Sequence, residues 1–248
     1  MTPWWRGHFD ATWYDLHAEL FPPERSRQEV AAMLELLGLP VGARVLDVPC
    51  GWGRHTVPLA EAGLRAVGAD LSRDLLERAL TAARAAGVAA PLARADIAAL
   101  PFAVASFDAV VDVSTGLGLF DDDDREIAAL AELARVTGPG GQLLLETVHR
   151  DDIARNFARR DGWRSADGTR VGIRRRFDPL RGVAAERWRW RAPDGRQGAS
   201  EHRLRLYTAG EALGLLRAAG YEPVEVFGDW DGRAFGHDSP RLIVRAVR

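Results

Sequence analysis

Residues 45–54 decide the fold of this chain, and they read Val-Leu-Asp-Val-Pro-Cys-Gly-Trp-Gly-Arg. The first four form a short, mostly apolar run, which is typical of a buried strand. Gly51 and Gly53 follow at once and allow a sharp turn before a helix. Such a turn brings backbone N–H groups and a helix N-terminus close to a ligand at the carboxyl edge of a sheet. The stretch therefore predicts a ligand-binding strand, turn and helix.

The segments on either side continue this alternation. Apolar runs and helical periodicity indicate strands separated by helices, with Ser72 and a Thr208–Glu211 capping box beginning two of the helices. The predicted strands are 44–48, 65–70, 91–95, 107–113, 142–148, 221–228 and 241–247, and the predicted helices are 26–37, 53–62, 72–86, 123–136 and 208–220. The pattern predicts the α/β class, with a doubly wound, mostly parallel seven-stranded sheet. Within it, Ser26 to Glu29 is interpreted as a capping box that begins the first helix.

The periodicity changes after His149. Residues 171–178, 183–191 and 199–207 alternate as strands do and are separated by turn sequences, which predicts an inserted antiparallel β meander of three strands. We expect residues 1–248 to form a single domain. Its predicted parts are an N-terminal helical and aromatic lid (1–40), a cofactor-binding core (41–148), the inserted substrate-lid or interface subdomain (150–207), and a closing helix and strands (208–248).

Composition excludes several classes of protein. Of 248 residues, 47% are hydrophobic and 27% charged, which is typical of a folded globular chain. No apolar run approaches the roughly 18 residues that span a bilayer, and no secretory signal pattern is present, so we expect a cytoplasmic protein without membrane contact. Cys50 is the only cysteine, which excludes an internal disulfide and a cysteine-rich zinc site, and no metal is expected. All 33 basic residues are arginines, so a lysine Schiff base is excluded as well.

Charge is unevenly distributed along the chain. Residues 150–191 contain 13 Arg and 6 Asp plus Glu, a net of +7, while the whole chain carries −2 and the remainder therefore −9. A near-neutral chain has no general attraction for a polyanion. A local basic surface can nevertheless form in the inserted region.

Two acids indicate which cofactor the glycine turn binds. Asp47 would repel a pyrophosphate and attract an ammonium group, and Asp70, at the end of the second strand, can accept both hydroxyls of a ribose. The third glycine of the dinucleotide motif is missing, because Thr56 stands near its position. The residues therefore favour S-adenosylmethionine over NAD.

With these motifs in this order, the chain resembles the class I S-adenosylmethionine-dependent methyltransferases over roughly residues 41–148 and again in the closing strands. The resemblance implies a Rossmann-like methyltransferase fold, a cofactor turn, a ribose acid and an adenine-side segment. Pro49 departs from the family, which more often has glycine there, and residues 114–117 lack the Asn-Pro-Pro-aromatic motif of many nucleic-acid base methylating enzymes. The cofactor-binding residues predicted from the resemblance and the sequence are Tyr14, Asp47, Cys50, Gly51, Gly53, Asp70, Leu71, Asp96, Ile97 and Val113.

Substrate residues are predicted from position alone. His149 follows the fifth strand at the ligand-binding edge and is the candidate general base, although a loop histidine can equally pack on the next helix. The predicted substrate contacts are Trp13, Ser114, Trp188, Trp190 and His237, while His55 and His202 are interpreted as structural. Trp188 and Trp190 share one face of their strand and must be covered by the domain, a partner or a substrate, while Arg187, Arg189 and Arg191 share the other face.

The leading hypothesis is methyl transfer from S-adenosylmethionine to an O or N atom of a small molecule. A nucleic-acid (RNA) methyltransferase that uses residues 150–191 as a phosphate track is the first alternative, which interleaved acids and a near-neutral pI disfavour. A non-catalytic S-adenosylmethionine-binding protein is the second. As to partners, we expect a small-molecule substrate, no nucleic acid, and a monomer or homodimer.

Overall fold

A computed structural model describes residues 3–114, 116–120 and 122–248. Its larger sheet has seven strands within these ranges, in the order β10-β11-β5-β4-β1-β2-β3. The first five strands along the chain pair in parallel, whereas β11 runs antiparallel to both β5 and β10. The strands are Arg44–Asp47 (β1), Arg65–Asp70 (β2), Leu92–Arg94 (β3), Phe107–Asp112 (β4), Thr137–Val148 (β5), Glu222–Phe227 (β10) and Arg241–Val247 (β11). The predicted fold class, a doubly wound and mostly parallel seven-stranded sheet, is confirmed.

Helices cover both faces of this sheet. Val30 and Met33 on one side and Leu133 and Leu216 on the other are buried against it, so the central strands are apolar on both faces. The helices are Ala11–His17 (α1), Pro23–Leu37 (α2), Thr56–Glu61 (α3), Arg73–Ala86 (α4), Asp123–Val136 (α5), Arg150–Arg155 (α6) and Ala209–Ala218 (α7). The Thr208–Glu211 capping box begins α7 as predicted.

The predicted start of α2 is wrong. The helix begins at Pro23, three residues before Ser26, with Pro22 as its N-cap. Proline suits the first helical position because its missing N–H has no intrahelical partner there. Ser26 is buried inside the helix, and Glu29 contacts residues of the glycine-turn region instead of capping the helix.

The inserted region forms a separate antiparallel sheet of four strands among the described residues, in the order β6-β7-β8-β9, so the prediction of three was wrong. Sequence analysis missed its first strand, Arg160–Arg164 (β6), and the short helix α6 before it. The other three are Arg170–Asp178 (β7), Val183–Arg191 (β8) and Gln197–Arg205 (β9). β6 combines a glycine with charged residues and has little strand signal of its own, but it pairs with β7 from Arg160↔Arg174 to Arg164↔Arg170.

An N-terminal segment lies across both sheets. It consists of a short 3-10 turn at Trp4–Arg6 and of α1, which Asp10 caps by accepting from the backbone N–H of Trp13. Leu16 of α1 packs in one cluster with Val171, Ile173 and Trp188 of the second sheet. On the core side, the backbone N–H of Ala11 donates to Asp74 (3.2 Å) and Arg78 pairs with Asp15 (2.8 Å). The segment therefore connects the inserted sheet to the cofactor edge of the core.

None of the helices in the described parts of the chain is both long and apolar enough to cross a bilayer.

Candidate active site

The glycine turn follows β1 as the sequence predicts. Gly51 and Gly53 have φ values of 53° and 79°, in the left-handed region that favours glycine. A Cβ at Gly53 would lie 3.0 Å from that of Ala79, so this glycine also permits α4 to approach the turn closely. The backbone N–H of Cys50 donates to Ala69 of β2 (2.9 Å), which fixes the turn at the carboxyl edge of the sheet.

Asp47 is buried at the end of β1. One carboxylate oxygen, Oδ2, accepts from the Thr56 hydroxyl (2.5 Å), but Oδ1 is buried without a hydrogen-bond partner. Burial raises the pKa of Asp47 to about 7, although the Thr56 hydrogen bond counteracts part of the rise. A buried acceptor without a donor is costly. An ammonium group beside this oxygen would supply the missing donor and favour the ionised acid.

Asp70 ends β2 on the opposite side of the turn. Its Oδ2 accepts from the Gly51 backbone N–H and its Oδ1 from that of Ser72, each at 2.8 Å. Burial raises the pKa of this carboxyl even though both hydrogen bonds favour its ionised form. Each oxygen has a further lone pair, which is the arrangement that two hydroxyls of a ribose require.

Asp96 lies beyond β3 with Leu71 and Ile97, both half-buried, in the same part of the edge. It accepts from the backbone N–H of Ala98 and pairs with Arg6 of the N-terminal segment, both at 3.1 Å. Arg6 therefore lies over the predicted adenine side of the turn.

Val113 is buried after β4, and Ser114 follows with a left-handed φ of 62°. Ser114 donates its backbone N–H to Glu146 of β5 (2.8 Å), and its hydroxyl accepts from Arg54. Farther along this loop, the backbone N–H of Phe120 donates to Glu126 (3.3 Å). Burial raises the pKa of Glu126 to about 7. Buried carboxylates on two elements thus hold the loop after β4 in place.

Arg54 belongs to a buried polar group that sequence analysis did not predict. It donates to Glu29 of α2, which also accepts from the Nε2 of His55 (2.8 Å). Burial lowers the pKa of His55 to about 4, so its Nε2–H is the donor of a neutral ring. Burial alone would raise the pKa of Glu29, but the hydrogen bonds from His55 and Arg54 and the charge of Arg54 outweigh it and hold this pKa below its usual range. The group links α2 to the turn and, through Arg54, to Ser114.

Aromatic side chains of α1 cover the turn. Tyr14 meets the Trp52 ring edge-on at 5.5 Å, and the guanidinium of Arg78 lies 3.9 Å from the Tyr14 ring centroid. Trp13 lies 5.5 Å from Trp52 and stacks on His17 at 4.4 Å. The structure therefore brings two of the predicted site residues, Trp13 and Tyr14, to the glycine turn.

Three rings with unsatisfied nitrogens meet between the N-terminal segment and β9. Trp4, His8 and His202 have ring centroids 4.9 to 5.7 Å apart, and the Nε1 of Trp4 and the Nδ1 atoms of His8 and His202 are buried without partners. Burial lowers the pKa of His8 to about 3 and also lowers that of His202, so both rings are neutral near pH 7. We call these three residues the imidazole–indole cluster. His202 lies almost 200 positions from Trp4 and His8 in the chain. The only sequence signal for the cluster was the aromatic N-terminus.

Trp188 and Trp190 face the N-terminal segment, which covers them. Trp188 is buried against His17 (4.4 Å) and Trp163 (5.2 Å) and donates its Nε1–H to Glu186 (2.8 Å). The sequence left open whether the domain, a partner or a substrate covers these tryptophans, and in the structure Trp188 packs between α1 and the inserted sheet of the same chain.

Three predicted site residues remain, namely His149, His237 and Cys50. His149 is buried, its Nδ1 donates to the carbonyl of Ser239 (2.7 Å), and its Nε2 lies 3.8 Å from an Asp151 carboxylate oxygen. His237 is exposed and lies with Arg155 and Asp238. Cys50 is buried, and burial raises its thiol pKa well above the ordinary value. The structure thus brings neither His149 nor His237 into contact with the imidazole–indole cluster among the rings that it describes.

Comparison with known proteins identifies the core. A family model described as "Methyltransferase domain" matches residues 45–141, from β1 into β5. Over these residues, which are less than half of the chain, it is similar to the methyltransferase family. This matched region, called the methyltransferase domain below, contains the glycine turn, Asp70 and Asp96, but neither the N-terminal segment nor the inserted sheet.

Curated relatives match about half of the chain. Demethylmenaquinone methyltransferase of Renibacterium salmoninarum is 36% identical over 132 residues, which are 53% of this chain and 52% of that protein. A Mycobacterium sp. protein of the same name is 42% identical over 119 residues, 48% of this chain and 46% of its own. The chain thus spans about half the length of these curated relatives.

Solved structures match nearly the whole chain. The CcbJ methyltransferase from Streptomyces caelestis superimposes with a TM-score of 0.79 at 20% identity, covering 94% of this chain and 96% of its own. CalS10 from Micromonospora echinaspora, described as an amino pentose methyltransferase with bound SAM, has a TM-score of 0.67 at 25% identity and covers 90% and 91%. At 20% identity the first likeness concerns the fold alone.

Proposed function

We propose that this chain transfers a methyl group from S-adenosylmethionine to an O or N atom of a small molecule. The observation that carries the proposal is the buried, unpartnered Oδ1 of Asp47 beside a glycine turn within a methyltransferase domain. An acid in this place favours a cofactor with an ammonium group and disfavours a pyrophosphate.

The residues present fit S-adenosylmethionine. Asp47 would accept from its ammonium group, the turn at Gly51 and Gly53 leaves room for its amino-acid part, and the free lone pairs of Asp70 would accept from its ribose. Asp96, between Leu71 and Ile97, would face the adenine, with Tyr14, Cys50 and Val113 bordering the site. When bound, the cofactor supplies a methyl group activated by a sulfonium. The protein then has to hold an acceptor in line and exclude water, since positioning alone supplies several kcal/mol.

The imidazole–indole cluster is where we place the acceptor. The Trp4 indole N–H can donate to a hydroxyl or amine, and the neutral rings of His8 and His202 can accept from it. Trp5 of the same turn contacts Phe120 in the loop after β4 (5.8 Å), which connects the cluster to the loop that begins at Ser114. Trp13, Ser114 and Trp190 would border this acceptor site.

His202 is the better placed base. Its Nε2 lies 3.5 Å from Glu186, whose charge stabilises an imidazolium, and its ring packs against the rings of Trp4 and His8. A neutral acceptor that gains a methyl group loses a proton, and His202 can accept that proton. His149 and His237 lie outside this group, so a role for them in proton transfer or substrate contact is the weaker proposal.

Calorimetry tests the cofactor site. We expect S-adenosylmethionine and S-adenosylhomocysteine to bind and NAD to bind far more weakly. Asp70→Asn should weaken S-adenosylmethionine at least tenfold, because a hydrogen bond to a charged group contributes about 1.5 to 3 kcal/mol. The matched control is Asp108→Asn, at the opposite end of β4, where the acid pairs with exposed Arg44. Tighter binding of NAD, or equal affinities in both variants, would refute the site.

A turnover screen tests the transfer. Amino sugars and reduced quinones, the acceptor classes that the names of the similar proteins suggest, should be offered with S-adenosylmethionine, with RNA in a parallel reaction. Formation of S-adenosylhomocysteine with a small acceptor is the expected result. Methylation of RNA alone, or tight cofactor binding without any turnover, would favour one of the two alternative functions.

A further inference from the structure

The inserted sheet has an outer face that the methyltransferase site does not use. Val171, Ile173 and Trp188 point inward and pack on α1, so the alternating residues of the same strands point away from the catalytic edge. On β7 these are Arg170, Gly172 and Arg174, all exposed.

Cross-strand register arranges outward residues of β6, β7 and β8 in three adjacent rows. Arg160, Arg174 and Arg187 form the first row, and Arg164, Arg170 and Arg191 form the third. Between them lies the row Gly162, Gly172 and Arg189. Residues 170 and 174 are four positions apart on one strand, so the two arginine rows are about 13 Å apart, and each row crosses three strands about 4.8 Å apart. We call this arrangement the arginine trough.

Most of the trough's charge is unpaired. Arg187 pairs with Glu201 (3.2 Å), and Arg191 donates to the amide oxygen of Gln197 (2.9 Å). Within the described parts of the chain, no ion pair involves the other five arginines, which are Arg160, Arg164, Arg170, Arg174 and Arg189. Crowded like charges repel, and a multivalent anion would relieve that repulsion.

Gly172 forms the floor. A Cβ there would meet nothing within 4 Å and its φ is outside the left-handed region, so neither crowding nor conformation requires glycine. Glycine weakens a strand interior and often marks a place where a ligand approaches the backbone. Two adjoining grooves of about 250 and about 680 Å³ share Gly172 and Arg189, and the larger has the volume of a small-molecule site.

We propose that the arginine trough binds a soluble, nucleotide-sized ligand that carries two or more linked phosphate groups. Guanidinium groups from both rows can bond phosphate oxygens in pairs above the glycine floor. The site is separate from the methyltransferase centre, on the other face of the inserted sheet.

Size and charge favour a small ligand over a nucleic acid. A patch of about 13 by 10 Å spans only a few backbone phosphates. Residues outside 150–191 carry a net −9, so a longer polyanion would meet repulsion beyond the trough. The outward positions of β6, β7, β8 and β9, all among the described residues, also carry no aromatic side chain on which bases could stack.

Tripolyphosphate is the probe, because it lacks adenosine and cannot report on the cofactor site. Calorimetry on the full chain at 50 mM salt should show a micromolar dissociation constant that rises with salt. Gly172→Glu, which puts a carboxylate on the floor of the trough, should weaken tripolyphosphate binding at least tenfold. The double variant Arg174→Ala, Arg189→Ala should have an effect at least as large. Gly172→Ala should stay within threefold of the original chain. Arg196→Ala is the matched control, because this arginine pairs with Asp194 in the β8–β9 turn (2.7 Å).

The affinity for S-adenosylmethionine is also measured on every variant. It shows whether the variant is folded, and it tests the proposed function separately from the arginine trough. Retained cofactor binding with no tripolyphosphate binding at 1 mM would overturn the trough alone. If Arg196→Ala weakened tripolyphosphate binding as much as the trough variants do, the effect would come from net charge alone, and the proposed site would also be overturned. Preferential binding of a 20-base-pair RNA duplex, lost in Gly172→Glu, would replace the small ligand with a nucleic acid.

Discussion

Replacing His17 by Phe should make folding stability less sensitive to acid. His17 lies between Trp13 and Trp188, and its Nδ1 donates to the carbonyl of Trp13 (2.7 Å). Burial lowers its pKa to about 4, against 6.5 for an unperturbed imidazole. Phenylalanine retains the ring stacking and cannot titrate.

The magnitude follows from linkage. Between pH 6.5 and 4 the unfolded chain protonates this histidine while the folded chain does not, so stability falls as the pH falls through that window. At pH 5 the loss is about 2 kcal/mol relative to pH 7.5, and below pH 4 it approaches about 3 kcal/mol at 1.36 kcal/mol per pKa unit. Asp47 and Glu126, whose pKa values are raised to about 7, act in the opposite sense and are common to both proteins.

Urea denaturation of both proteins at pH 7.5 and pH 5.0 measures the effect. His17→Phe should be less stable at pH 7.5 by roughly 1 kcal/mol, the value of the lost hydrogen bond. It should then lose about 2 kcal/mol less than the original chain on acidification. Identical losses in the two proteins would refute the assignment of a neutral, buried His17.

Two further predictions concern buried groups. Glu29→Gln should destabilise the fold by about 3 to 5 kcal/mol, because it leaves the buried charge of Arg54 uncompensated. Glu24→Gln, at an exposed position of the same helix, is the control and should cost less than about 0.5 kcal/mol. Equal urea midpoints for the two variants would contradict this prediction. Cys50, buried with a raised thiol pKa, should resist a thiol reagent at pH 8 in the native chain and react fully in urea, and rapid native labelling would show that the turn opens.

Local sequence patterns were sufficient to predict the larger sheet and the helices that pack on it. The helix over 123–136 and the capping box at Thr208 were predicted at their observed positions, because their caps and apolar faces lie within a few residues of one another. The parallel order of the central strands followed from the alternation of strands with helices. For the same reason the glycine turn and the acids after β1 and β2 could be placed at one edge.

The errors come from residues whose partners are distant in sequence. Glu29 resembles half of a capping box, but it pairs with Arg25 on its own helix and with Arg54 and His55, about 25 positions away. Helix α1 is rich in aromatic residues, which have modest helix propensity, and packing on the inserted sheet supports it. The imidazole–indole cluster joins residues 4 and 202, and no window along the chain could reveal it.

The two sheets also differ in when they can assemble. Strands β7, β8 and β9 pair with neighbours at most 22 positions away, as Val183 does with Arg205, whereas β11 pairs with β5 across 93 positions, from Val148 to Arg241. Local pairings form faster than distant ones because less chain entropy is lost on closing the loop. During synthesis the inserted sheet can thus form before the core closes. The N-terminal segment precedes both sheets, and Trp4 cannot contact His202 until that residue has left the ribosome, so Trp4 lacks this partner until nearly the whole inserted sheet has been synthesised.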